Sequence, residues 1–274
     1  MPTCEAGKTW VTAGFALPLM FAVSVHPHAP RNLIVRRSCA NPRRLIPFYA
    51  CPSLVLCLFV VPLLLAVCVS NAQAGLITFG SGSNAFDIYF VTIGNPGNAA
   101  DTTGTPNPFG SVVYEYGMSQ FAVSREMIDK ANAAASLGIT MRSMSFVTGG
   151  ARALMPATGI SWFEAAQFTN YLNTSQGFQA AYKFDGLGTF ELWEVGDPSF
   201  DAANPYRNSL ANYVLPSVDE RYKAAFYDPT SGSYFNYATG SDTAPTAVAS
   251  GTDPRTAVYS QSFSAFAAAG GARF

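Results

Sequence analysis

The sequence predicts an α+β domain with a large irregular fraction, and three observations predict it. Two stretches open with Ser-x-x-Glu and continue as mostly apolar helices, Ser161 with Glu164 and Ser217 with Glu220. Between and before them lie short segments rich in aromatic and β-branched residues, each bounded by Gly, Pro, Asn or Asp. Nothing repeats at a fixed period, and helices separated by short strands and long loops belong to the α+β class.

Taken in order, residues 75–87 carry the run Gly80-Ser81-Gly82-Ser83-Asn84 and read as a turn or flexible lead. Residues 86–93, FDIYFVTI, read as a strand that ends at Asn95-Pro96-Gly97-Asn98. Residues 101–110 are a loop, and residues 111–120 are the next strand candidate. Ser124, followed by Glu126 and Asp129, opens a helix carrying Met127, Ile128 and Ala131 that closes at Gly138. Residues 141–153 have no period and are left irregular.

The helix from Ser161 to Asn173 shows Phe163, Ala166, Asn170 and Tyr171 on one face and Trp162, Ala165, Thr169 and Leu172 on the adjoining one, so it is expected to be mostly buried. Gly177 follows as a breaker. Residues 181–184 and 190–195 form a hairpin around Asp185-Gly186, and residues 197–208 form a polar loop. The helix after Ser217 should stop at Asp228-Pro229, because a residue before proline leaves the α region. Tyr234, Phe235 and Tyr237 then mark a short strand between two turns.

Composition narrows the chemistry. The chain has 274 residues, 49% of them hydrophobic and 12% charged, enough for one large domain or two small ones. From Gly75 onward there are ten Lys/Arg against sixteen Asp/Glu, and an acidic domain of this kind repels phosphate backbones, so no nucleic-acid partner is expected. All five cysteines (Cys4, Cys39, Cys51, Cys57, Cys68) and both histidines (His26, His28) precede residue 75. A domain starting there holds no thiolate, no imidazole and none of the ligands that zinc, copper or haem prefer.

The N-terminal part has the order of an export signal: Arg36, Arg37, Arg43 and Arg44, then the uncharged apolar run of residues 54–69, then Ala72-Gln73-Ala74 as an A-x-A site. The run is interrupted by Pro62 and is shorter than the about 20 apolar residues of a membrane helix. Cleavage near Ala74 and an extracytoplasmic mature protein are expected, the alternative being an uncleaved anchor as the one membrane attachment. Residues 1–35 are read as an N-terminal extension outside the fold, residues 36–74 as the signal, residues 75–258 as the domain and residues 259–274 as a small-residue tail.

Several constellations invite a site and have plainer readings. Asp219 and Glu220 are adjacent carboxylates, but adjacent helix positions do not face each other, and the cap accounts for Glu220. Asp197, Asp201 and Asn204 offer hard oxygens of the kind calcium takes, though without an EF-hand register. Tyr234, Phe235 and Tyr237 could stack on a sugar or peptide, or simply fill a strand face. Asn173-Thr174-Ser175 is a glycosylation sequon only in a host with that machinery, and such triplets recur by chance. No residue is assigned a catalytic, cofactor-binding or metal-binding role.

Residues 215–245, LPSVDERYKAAFYDPTSGSYFNYATGSDTAP, resemble the LPSEDEWYKAAYYDP…GSY…YPTGSDTAP segment of the formylglycine-generating enzyme (sulfatase-modifying factor) family. Residues 90–101 resemble that family's FV.IG.PGN..D strand and loop, residues 116–124 its Y.IGKYEVT, and residues 157–173 its PVV.VSWYDAARFCNWL, all in the family's order. The resemblance spans residues 85–258 and departs at Arg221, where the family carries Trp. It implies a C-type lectin-like fold, two helices around small antiparallel sheets, incomplete at the C-terminus. The activity it implies is oxidation of a sulfatase cysteine to formylglycine, with oxygen and a copper ion held by two cysteine thiolates. That thiolate pair belongs near the family's GNVWEW segment, and neither is found here. Two functions follow: an exported domain that binds an unidentified protein, peptide or glycan without oxidising cysteine, or an active oxidase whose catalytic segment is missing from this sequence. An unrelated hydrolase using carboxylates is the third reading.

Overall fold

The computed structural model describes residues 22–26, 75–103, 108–143, 152–248 and 253–257, all within one compact unit of the chain. Its architecture is α+β: three helices and a five-stranded antiparallel sheet, with three two-stranded ribbons. The segment read as an export signal and the tail beyond residue 257 lie outside the described residues. Among the described residues no helix is long and apolar enough to cross a membrane.

The first strand, β1 (Ser24–Val25), comes from the N-terminal extension. β2 (Gly75–Phe79) and β3 (Phe86–Ile93) form a hairpin, with Phe79 opposite Phe86 and Leu76 opposite Tyr89. Residues 75–79 are therefore not a flexible lead; GLITF alternates, its burial alternates with it, and the turn is confined to residues 80–85. Residues 86–93 are a strand as the sequence indicates, with Phe86, Ile88 and Phe90 inward and Asp87 and Tyr89 outward. β4 (Tyr116–Ser119) pairs with β3 and occupies only the second half of the segment expected.

The first helix, α1 (Arg125–Ala135), is capped by Ser124 and closes at Ser136 in the left-handed region (φ 52°), two residues before the expected Gly138. The second, α2 (Trp162–Ser175), has the full capping box. Ser161 N–H donates to Glu164 Oε2 at 2.8 Å and Glu164 N–H donates to Ser161 Oγ at 3.2 Å. Its buried side is Ala165, Ala166, Phe168, Thr169, Tyr171, Leu172 and Asn173. Trp162 and Phe163 in its first turn stay partly exposed against Phe190, so burial of both proposed faces holds only from the second turn on.

β5 (Lys183–Phe184) and β6 (Phe190–Glu191) make the expected hairpin, where Asp185 Oδ1 accepts from Leu187 N–H at 2.8 Å and Thr189 N–H at 2.7 Å. β7 (Tyr213–Val214) returns to the main sheet. α3 (Val218–Phe226) follows, then β8 (Tyr227–Asp228) and β9 (Ser233–Tyr234), paired across Pro229. β10 (Thr246–Ala247) and β11 (Thr256–Ala257) form a short parallel ribbon.

The main sheet runs in the order β2-β3-β4-β1-β7. One face carries Val23, Val25, Phe79, Phe86, Ile88 and Phe90 and is covered by Ile128 and Ala131 of α1 and Phe168 and Leu172 of α2. Phe86 stacks on Phe168 at 5.9 Å, and Tyr213 meets Phe79 edge-on at 4.9 Å. The opposite face, with Val112, Tyr116 and Met118, receives Ala22 and, from α3, Ala224.

β1 corrects the reading of residues 1–35 as outside the fold. Ser24 pairs with Met118 on one side and Val214 on the other, so the strand sits inside the sheet, with Val23 and Ser24 fully buried. For the sequon the chance reading holds. Asn173 is fully buried; its amide donates to Tyr213 O at 2.7 Å, and Asn212 N–H and Tyr213 N–H donate to its Oδ1 at 2.9 and 3.0 Å, so it ties α2 to β7 and is closed to a glycan.

Candidate functional site

A buried polar cluster grows from the capping box of α3. Glu220 N–H donates to Ser217 Oγ at 3.1 Å and Ser217 N–H donates to Glu220 Oε2 at 2.7 Å, which turns the Glu220 side chain back across the first turn and into the protein. There the carboxylate is fully buried. Tyr114 O–H donates to Oε1 at 2.8 Å, and His26 Nε2 stands 2.7 Å from the same oxygen. Tyr116 O–H donates to the Glu220 carbonyl at 2.5 Å.

The electrostatics follow from that enclosure. Burial pushes the Glu220 carboxyl up, but His26, the Ser217 N–H and the Tyr114 hydroxyl together outweigh it and hold the group below the ordinary carboxylate value. Tyr114 is pushed up to about 12, first by burial and then by the Glu220 charge. Tyr116 is raised further for the same two reasons. A carboxylate kept ionised beside two phenols kept protonated is an arrangement for holding position, since neither side is poised to pass a proton near neutral pH.

A cavity of about 210 Å³ opens beside this cluster, lined by His26, Asp201, Asn204, Arg207, Asn208 and Ser209 with Ala211 and Val214. It is roughly seven times the about 30 Å³ that one water occupies in the liquid, so it takes a short side chain or a small polar molecule. Asn208 in its lining is fully buried and bonded to Gln179 and Leu210. The wall offers a guanidinium, an imidazole, a carboxylate and amides.

The residues singled out in the sequence fall in different places. Asp201 and Asn204 share the cavity wall, but Asp197 is drawn away to Lys183 Nζ at 2.9 Å and accepts from Glu194 N–H, so the calcium trio does not converge. Among the described residues no group of three His, Cys, Asp or Glu is placed to hold a metal ion. Asp219 accepts from Gly110 N–H at 2.8 Å, away from the Glu220 carboxylate, so the two do not act as a pair.

Tyr234, one of the strand aromatics, is likewise structural. Its hydroxyl reaches Gly110 O at 2.7 Å and accepts from Asn98 Nδ2 at 2.6 Å, while Tyr222 O–H donates to Asp101 Oδ2 at 2.7 Å, and together they pin the loop before β4 to α3 and β9. Sequence reasoning missed His26, Tyr114 and Arg207. The alternation in Ala22-Val23-Ser24-Val25-His26 was the available signal for the first.

No family model, no curated protein and no solved structure matches the chain.

Proposed function

We propose that this chain is an extracytoplasmic domain of the sulfatase-modifying-factor type, with the two capped helices and small sheets of a C-type lectin-like arrangement, that binds a ligand and does not convert cysteine to formylglycine. The four motif segments and their order support the family reading. The observation that carries the binding reading is the polar cavity beside Glu220. Even without His26, which precedes the expected cleavage point, its lining presents donors and acceptors of both signs in Arg207, Asp201 and Asn204, whereas Glu220 and Asp219 are each held by structural donors. The family's copper site needs two thiolates; residues 75–274 contain no Cys, and the N-terminal strand segment brings only His26 to the site, so the residues present do not fit that ion. The ligand belongs to the class of protein, peptide or glycan, not nucleic acid.

The test is to incubate the purified protein with copper, oxygen, a reductant and a sulfatase-motif peptide and to follow the peptide by mass spectrometry. The expected outcome is an unchanged peptide. Copper-dependent conversion of its cysteine to an aldehyde would overturn the proposal in favour of an active oxidase.

A further inference from the structure

β1 lies upstream of the expected cleavage point, and the next strand, β2, begins at Gly75, the first residue after it. The sheet therefore has at its middle a strand that export would remove. Taking residues 22–26 away would leave β4 and β7 each with a row of unpaired backbone groups facing a gap one strand wide, a ready template for another chain.

The gap has a readable specificity. Along the backbone, Ser119 N–H donates to Val23 O and His26 N–H donates to Asn212 O, both at 2.9 Å, and Val23 N–H donates to Ser119 Oγ at 3.1 Å. Val23 and Val25 fill the core face with Phe79 and Phe90. Ala22 and Ser24 point to the other face, where Ser24 is fully buried with its hydroxyl unpartnered, so only a small side chain fits there. At the end of the gap His26 meets the buried Glu220 carboxylate, which no Lys or Arg neutralises within ion-pair distance among the described residues.

We propose that the gap between β4 and β7 is a strand-acceptor site for an extended peptide whose side chains run apolar, small, apolar, basic, and that residues 22–26 are its intramolecular occupant. This deepens the binding function above and rests on its export reading for the vacating of the site. The backbone pairing supplies affinity, the two apolar positions supply register, and the Glu220 carboxylate, 2.7 Å from His26 Nε2, selects the basic side chain at the end. The partner is thus a peptide segment of another protein, and the polar cavity lined by Arg207 and Asp201 lies where the chain leaves the gap.

The experiment keeps the full chain. A sequence-specific protease site inserted between Asn41 and Pro42 is cut after purification, and a fluorescent peptide of residues 20–28, MFAVSVHPH, is added to cut and uncut protein. The cut protein is expected to retain its N-terminal fragment and to exchange it saturably for the labelled peptide. The uncut protein should bind it far more weakly, because a tethered strand competes at an effective concentration in the millimolar range. The His26→Ala peptide should bind at least about tenfold more weakly, having lost the partner of a buried charge, and the Ser24→Pro peptide should not bind, having lost its ladder hydrogen bond.

Loss of the native spectrum on cutting would overturn the proposal. So would a fragment that excess peptide never displaces, even through an unfolding and refolding cycle, since it would then be an integral strand. Equal binding of all three peptides would also overturn it. N-terminal sequencing of the native protein separates this from the export reading: a start before Gly75 with peptide exchange intact removes export and leaves the acceptor site standing.

Discussion

Replacing Glu220 by Gln probes the cluster at the centre of the molecule with almost no change of volume. The carboxylate receives Ser217 N–H and Tyr114 O–H and faces His26 at 2.7 Å. An amide keeps one oxygen for the cap, but it loses the charge that strengthens the tyrosine contact and presents an N–H₂ to groups that also donate. Hydrogen bonds to a charged group contribute about 1.5–3 kcal/mol each, and with one of them retained in weaker form the expected loss is about 2–4 kcal/mol.

In urea, where m is about 2 kcal/mol/M for a domain of this kind, that loss lowers the unfolding midpoint by about 1–2 M with the slope unchanged. The same variant tests the electrostatics. A carboxyl held below its ordinary value stabilises the fold above that value, and the contribution is lost as pH falls through the lowered one. The parent should therefore lose stability below the ordinary carboxylate range more steeply than Glu220→Gln. A midpoint within about 0.2 M of the parent, corresponding to under about 0.5 kcal/mol, with identical acid limbs, would refute the reasoning.

Two further substitutions have defined costs. Ser161→Ala removes the acceptor of Glu164 N–H at the start of α2 and should cost about 0.5–2 kcal/mol in thermal or urea unfolding. Gly110→Ala puts a Cβ at φ +88° only 2.6 Å from the Tyr234 hydroxyl and 2.9 Å from the Tyr222 ring; it should cost about 1–3 kcal/mol and raise exchange at the amides around Gly110, whereas an unchanged melt would show that this loop can shift freely.

The features legible in the sequence were those encoded locally. The capping boxes at Ser161 and Ser217, the FDIYFVTI strand and the Asp185-Gly186 turn each depend on residues within a few positions of one another, and each appears where expected. The hairpin strand at residues 75–79 was hidden by the glycines beside it. The core role of Phe168 was hidden by the apolar residues that surround α2 on nearly every side, from which periodicity alone could not choose. The site depended on distance. His26 meets a carboxylate far along the chain, Tyr114 reaches the same oxygen from the loop before β4, and Arg207 comes from a polar loop with no pattern. A two-residue strand, Ser24–Val25, with partners on both sides carries too few alternating positions to stand out beside an apolar export-like segment.

Whether residues 22–26 fill the middle of the sheet is the point on which the cluster, the cavity and the acceptor site all rest, and hydrogen exchange on the full chain addresses it directly. The amides of His26, which donates to Asn212 O, and of Ser119, which donates to Val23 O, are expected to exchange as slowly as those of β3, opening only with global unfolding. Exchange of the His26 and Ser119 amides at the rate of an unstructured peptide, while Phe90 and its β3 neighbours stay protected, would contradict the account.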